Sequence, residues 1–330
     1  MRSVVFTPYI CDPLKTSIMV QIISSMSELG AGKRGASLGL EAIRIASFKT
    51  NAGFFKKYKV QSVPHVNRLL YKYVNNPFGK RIEGIVKMYR RLSAKVAETL
   101  EDNLFPIVIS GDHSNGGATI AGIKQAFPKK RLGVVWIDAH ADLHSPYTSP
   151  SGNMHGMPLA TAIAEDNLDV KTNTILDETK HHWEKLKGSS QRVKPDDIVF
   201  IALRDTESPE DYIIDKYGIK VFKVDELRQK GVQAIVKSSL EHLQNCDIIY
   251  VSFDVDSMDP SVSVGTGTPV AHGLTELEAM NLLDGFCASP KTCCLEITEV
   301  NPLLDDKGNA MGEAAFRLLE NTVNAIEENI

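Results

Sequence analysis

Leu132-Gly133-Val134-Val135-Trp136-Ile137 runs directly into Asp138-Ala139-His140-Ala141-Asp142. The first six residues are too few for a helix of their own. Apolar and rich in branched side chains, they suit a strand buried on both faces. Alternate side chains of an extended chain point to one side, so Asp138, His140 and Asp142 can converge just past the strand's carboxyl end. In open parallel sheets that edge carries the active site.

The same pattern repeats outward from this stretch. Apolar runs at 105–109, 198–203, 248–253 and 293–297 alternate with helical patterns at 118–127, 209–216, 233–243, 277–287 and 311–327. Strand alternating with helix predicts an α/β fold of three layers, α-β-α, around a mostly parallel central sheet. The first hundred residues are less regular, with a loop at 30–35 and a charged helix near 80–100. No linker, repeat or composition step divides the chain, so residues 1–330 are expected to form one domain.

Two other strand ends carry chemistry. Asp254-Val255-Asp256 follows Tyr250-Val251-Ser252-Phe253, and Gly111-Asp112-His113 follows the run at 105–109. A lone His113 would ordinarily be a structural histidine. Asp254 and Asp256 alone could be solvated carboxylates or helix caps. Three ionisable groups on one face after a buried strand are another matter, because desolvating them without a cation is costly. His113, Asp138, His140, Asp142, Asp254 and Asp256 therefore read as metal ligands. Oxygen-rich ligation with two imidazoles and no thiolate suits Mn²⁺. Six ligands are too many for one open catalytic ion, whereas two ions sharing carboxylates use them all. A water between two such ions ionises near neutral or mildly alkaline pH.

Composition excludes several other classes. At 43% hydrophobic and 24% charged, without low-complexity tracts, the chain is neither disordered nor fibrous. A net charge of −4 leaves no basic excess for nucleic acid. No apolar run approaches the roughly 18 residues that span a bilayer, so no membrane partner is expected. Residues 1–6 read as a first strand and lack a signal peptide's features. Cys11, Cys246, Cys287, Cys293 and Cys294 have no C-x-x-C spacing and read as buried thiols of a cytoplasmic protein.

Ser110-Gly111-Asp112-His113-Ser114, Asp138-Ala139-His140-Ala141-Asp142 and Ser252-Phe253-Asp254-Val255-Asp256-Ser257-Met258-Asp259-Pro260 together resemble the signature blocks of the ureohydrolases. That family includes arginase, agmatinase and formimidoylglutamase. The arginase branch is the most similar, through Ser151-Gly152-Asn153-Met154-His155-Gly156, Arg204-Asp205-Thr206-Glu207-Ser208-Pro209-Glu210, Gly267-Thr268-Pro269 and Glu299-Val300-Asn301-Pro302. The resemblance implies one Mn²⁺ on His113, Asp138, Asp142 and Asp254. It implies a second on His140, Asp138, Asp254 and Asp256, with Asp138 and Asp254 shared.

It further implies that Glu299 pairs with a guanidinium, that His155 relays protons and that Asp142 takes a hydrogen bond from the bridging hydroxide. Ser151 and Asn153 would meet an α-carboxylate, Glu207 and Glu210 an α-ammonium, and Thr268 would line the same site. Three positions depart from the arginase pattern. His144 replaces an asparagine that contacts the α-carboxylate, Glu207 replaces an aspartate, and Ala271-His272-Gly273 replaces a paired glycine.

Read this way, the chain hydrolyses L-arginine to L-ornithine and urea as a homo-oligomer, trimer or hexamer. Rival readings keep the metals and change the substrate to agmatine, another guanidino compound or N-formimino-L-glutamate. The related single-zinc deacetylases fit less well, since all six ligands are present. A non-catalytic scaffold on this fold is the reading from another class. The bland alternatives are local ones. Ser151, Gly152 and Asn153 are ordinary turn formers, and Glu210 near a helix start is favoured by the dipole. His181 and His182 read as solvent-exposed.

Overall fold

Among the described residues every pairing of strands is parallel. The computed structural model describes residues 19–328, so the expected first strand at 1–6, and Cys11, lie outside the described residues. The strands are β1 Val20–Ser25, β2 Val60–Ser62, β3 Phe105–Ser110, β4 Leu132–Ile137, β5 Ile198–Ile201, β6 Lys220–Phe222, β7 Ile248–Asp254 and β8 Thr292–Thr298. They form one sheet in the order β2-β1-β3-β8-β7-β4-β5-β6. The expectation of a mostly parallel sheet is thus met in full.

The helices are α1 Gly39–Thr50, α2 Phe54–Lys57, α3 Ile82–Glu101, α4 Ser114–Ala126, α5 Pro158–Ile163 and α6 Asp177–Lys187 in the first part of the chain. They continue with α7 Ser208–Tyr217, α8 Val224–Lys230, α9 Val232–His242, α10 Glu276–Cys287 and α11 Ala310–Glu328. Side chains of each strand alternate between two cores. Val135 and Ile137 join Ile43 of α1, Ile235 of α9, Leu283 of α10 and Phe316 of α11 on one face. Val134 and Trp136 join Leu92 of α3, Ile123 of α4, Ile163 of α5 and Trp183 of α6 on the other. β3, β4, β5 and β7 are buried at every position, as their unbroken apolar runs require.

Two local readings change. The helix expected from 118 begins at Ser114, because Ser114-Asn115-Gly116-Gly117 are weak helix formers that tight packing nonetheless holds helical. A Cβ on Gly116 would stand 2.8 Å from the Trp136 ring, so only glycine lets α4 approach β4 this closely. The polar stretch around His181 and His182, read as solvent-exposed, is helix α6, anchored by buried Trp183. His181 is exposed, whereas His182 is half-buried and its Nδ1 has no partner.

In this strand order the chain-consecutive β3 and β4 are parted by β8 and β7. The crevice at such a switch point, outside the strands' carboxyl ends, is where ligands bind. No helix among the described residues is long and apolar enough to cross a membrane.

Candidate metal centre and substrate pocket

Four strand ends meet at the crevice. β3 delivers His113, β4 delivers Asp138, His140 and Asp142, β7 delivers Asp254 and Asp256, and β8 delivers Glu299. The His113 ring stacks on Trp136 with centroids 4.0 Å apart, and its Nε2 is hydrogen-bonded to Ser252 Oγ at 2.8 Å. Its Nδ1 then faces Asp138 Oδ2 at 2.9 Å, Asp142 Oδ2 at 3.1 Å and Asp254 Oδ2 at 3.1 Å. Both His113 Nδ1 and Asp142 Oδ2 are buried without a hydrogen-bond partner.

His140 Nδ1 faces Asp256 Oδ2 at 3.1 Å and Asp138 Oδ1 at 3.4 Å. His113, Asp138 and Asp254 form one group whose donor atoms could hold an ion, and Asp138, His140 and Asp256 form another. Asp138 belongs to both, as expected of a shared ligand. Asp254 falls in only the first, and Asp142 reaches the cluster through His113 alone.

Left to themselves, these side chains are in electrostatic conflict. Burial opposes the charged imidazoles, but the surrounding carboxylates outweigh it and hold His113 and His140 well above the usual histidine range. Asp254 is pushed well up by burial and by Asp256 and Asp138, and Asp142 up to about 6 by burial and Asp138. Against its burial, Asp138 is held below the usual carboxylate range by His113 and His140. A divalent cation among these donors removes the conflict, and the orphaned Nδ1 is the lone pair it would take.

A cavity of about 290 Å³ opens above these ligands. Seven carboxylates line it, together with His144, Ser151, Asn153, His155 and Thr268, and no lysine or arginine does. Glu299 does not line it. Buried behind the other groups, it accepts the His113 backbone N–H at 3.0 Å and faces His155 Nδ1 at 3.4 Å. That ion pair outweighs burial and lifts the His155 imidazole to about 9.

Thr268 Oγ1 donates to Asp256 Oδ2 at 3.0 Å. The His144 imidazole is lowered to about 4 by burial. Its Nε2 lies 3.5 Å from Glu207 and 3.7 Å from Glu210. Glu207 is exposed at the rim and Ser151 beside it, whereas Glu210 is buried.

The sequence reading missed some of what holds this pocket together. Asp205 lines the cavity and faces His140 Nε2 at 3.6 Å. The only signal for it was its place in the 204–210 block. Arg204 binds the backbone oxygens of Ala202, Asp256, Val270 and Ala271, fastening the Thr268 loop to the end of β7. Glu210 accepts the Leu143 N–H through Oε1 and the Glu207 N–H through Oε2, both at 3.1 Å. It therefore ties the β4 loop to the start of α7, and the helix-start role is real.

Burial raises Glu210 to about 8 against those two bonds, so a cation in the pocket favours its ionised form. Glu210→Gln keeps one acceptor and turns an amino group toward the other N–H. It is expected to cost about 1–3 kcal/mol, read as a lower urea-unfolding midpoint. An unchanged midpoint would show that the tie carries no stability.

The arginase family model matches residues 19–324. The chain belongs to the arginase family. It is 31% identical to the arginase of Bacillus subtilis (strain 168) over 301 residues, covering 91% of this chain and 96% of that one. With the arginase of Staphylococcus aureus (strain COL) it shares 32% over 303 residues, covering 89% and 94%. The crystal structure of Entamoeba histolytica arginase in complex with L-ornithine is similar at a TM-score of 0.79 and 25% identity, covering 92% of this chain and 98% of that chain. This arginase-family chain is thus a hydrolase of the ureohydrolase class, and its sheet is the fold of its relatives.

Proposed function

We propose that this chain hydrolyses L-arginine to L-ornithine and urea. It would do so with two Mn²⁺ ions, one on His113, Asp138, Asp142 and Asp254, the other on His140, Asp138, Asp254 and Asp256. A single cytoplasmic domain assembling as a homo-oligomer belongs to the same reading. The observation that carries it is the lining of the cavity. Carboxylates surround a space that also offers Ser151 and Asn153, two neutral donors suited to an α-carboxylate. Relatives named arginase, and one solved with L-ornithine, a molecule with that α-carboxylate, support the choice.

Bound divalent cations supply Lewis acidity and bring the ionisation of water toward neutral pH. The chain's own residues do the rest. In this reading Glu299, paired with His155 behind the cavity wall, would turn to the guanidinium and fix the orientation of its carbon. Asp142 would accept a hydrogen bond from the attacking group, and its buried Oδ2 accepts none within the protein. His155, carrying its proton at neutral pH, gives it to the departing amine nitrogen. Ser151 and Asn153 bind the α-carboxylate, Glu207 and Glu210 the α-ammonium, and His144 and Thr268 wall the pocket.

Release of urea and ornithine by Mn²⁺-loaded protein, assayed on arginine, agmatine and N-formimino-L-glutamate side by side, tests the reading. Turnover of either of the latter two in preference to arginine overturns it. His155→Ala is expected to lower kcat by about 10² to 10⁴ with metal content intact. Loss of metal together with activity would remove the proton-transfer role.

A further inference from the structure

We propose that Lys80 is a positioning residue that turns the Asn153 amide into a donor, and so sets selectivity for a substrate bearing an α-carboxylate. The inference rests on the arginine reading above. Lys80 Nζ lies 3.2 Å from Asn153 Oδ1. An ammonium only donates, so the amide atom facing it is the oxygen. The Asn153 amino group is therefore turned away from Lys80. Among the described residues it donates to no acceptor, while the Asn153 backbone N–H is already bonded to Ser151 Oγ at 3.1 Å.

Gly32 keeps the space beside that amino group open. A Cβ on Gly32 would stand 2.9 Å from Asn153 Nδ2. With Lys80 gone, the broad, nearly two-fold torsion of an asparagine amide lets the oxygen swing round. A carboxylate would then meet an acceptor.

The segment that carries Lys80 is fixed against the loop it acts on. The Lys80 backbone N–H donates to Gly152 O at 2.9 Å. Gly152 has φ +68°, and a Cβ there would come within 1.8 Å of Pro77 O, so only glycine permits this contact. Lys80 is half-buried and has no carboxylate partner among the described residues. Its charge therefore stands behind Asn153, beside a cavity that no lysine or arginine lines.

Lys80→Met, Asn153→Ala and the double variant, each Mn²⁺-loaded, test the proposal through kcat and KM for arginine and agmatine. Lys80→Met is expected to raise KM for arginine roughly 10- to 100-fold, the range for a charge-assisted hydrogen bond. Its kcat should stay within about two-fold, and agmatine kinetics should not change. Lys80→Arg should restore most of the preference. In the Asn153→Ala background the loss of Lys80 should add nothing.

An arginine-to-agmatine ratio that Lys80→Met leaves unchanged, in a protein whose wild type prefers arginine, overturns the Lys80 assignment alone. Full additivity of the two substitutions does the same. A wild type without that preference overturns the arginine reading and this inference with it. Should Lys80→Met fail to fold, the Lys80→Arg and Asn153→Ala ratios decide the matter on the same terms.

Discussion

Asp138→Ala is expected to lose both metal ions and to cut kcat/KM by roughly 10³-fold or more, while Asp256→Ala weakens one ion and spares the other. Asp138 alone stands in both ligand groups. Its Oδ1 accepts the His140 backbone N–H at 2.7 Å, and its Oδ2 accepts Trp136 Nε1–H at 3.0 Å. The side chain is thus held from two sides while it faces both histidines. Charge stabilisation by bound cations is worth several kcal/mol, and each 1.36 kcal/mol of barrier is about a factor of ten. Elemental analysis after Mn²⁺ reconstitution, with urea release on the same samples, reads both effects. Loss of a single ion in both variants would mean Asp138 is not shared.

Arginine is expected to be preferred over agmatine by about 10⁴ in kcat/KM, the discrimination typical of a site that hydrogen-bonds a group the competitor lacks. With agmatine bound, Ser151 Oγ and Asn153 Nδ2 would face an apolar methylene. Those donors would be desolvated without return. Side-by-side kinetics give the ratio directly. A value near one removes the carboxylate-binding roles of Ser151 and Asn153.

The inner strands β3, β4, β5, β7 and β8 were legible because burial on both faces leaves almost nothing but apolar side chains. β2 and β6 are three-residue edge strands in which every side chain but buried Phe222 is exposed or half-buried, too short to leave an alternation to read. Helix α1 escaped for the opposite reason. Ile45 is 57% exposed and Phe48 72% exposed, so apolar residues ring the helix and blur its period. The metal-ligand candidates were legible because strand ends carry them at a spacing of two. The buried double acceptor Glu210, the carbonyl clamp of Arg204 and the Lys80–Asn153 bond were not. Each joins loops far apart in the chain, and no local pattern marks such a meeting.

A ribosome releases β3 and β4 early and β7 and β8 late, yet the finished sheet has the late pair wedged between the early two. At about 5–20 residues per second, the nascent chain carries its first four candidate ligands for seconds before the remainder emerge. During that interval β3 and β4 each have an open flank of unpaired backbone N–H and C=O groups, the kind of edge that invites wrong pairing. A polypeptide released before β7 holds His113, Asp138, His140 and Asp142 but lacks the two strands that lie between β3 and β4 in the sheet, so on the two-metal reading only the complete chain would assemble the site.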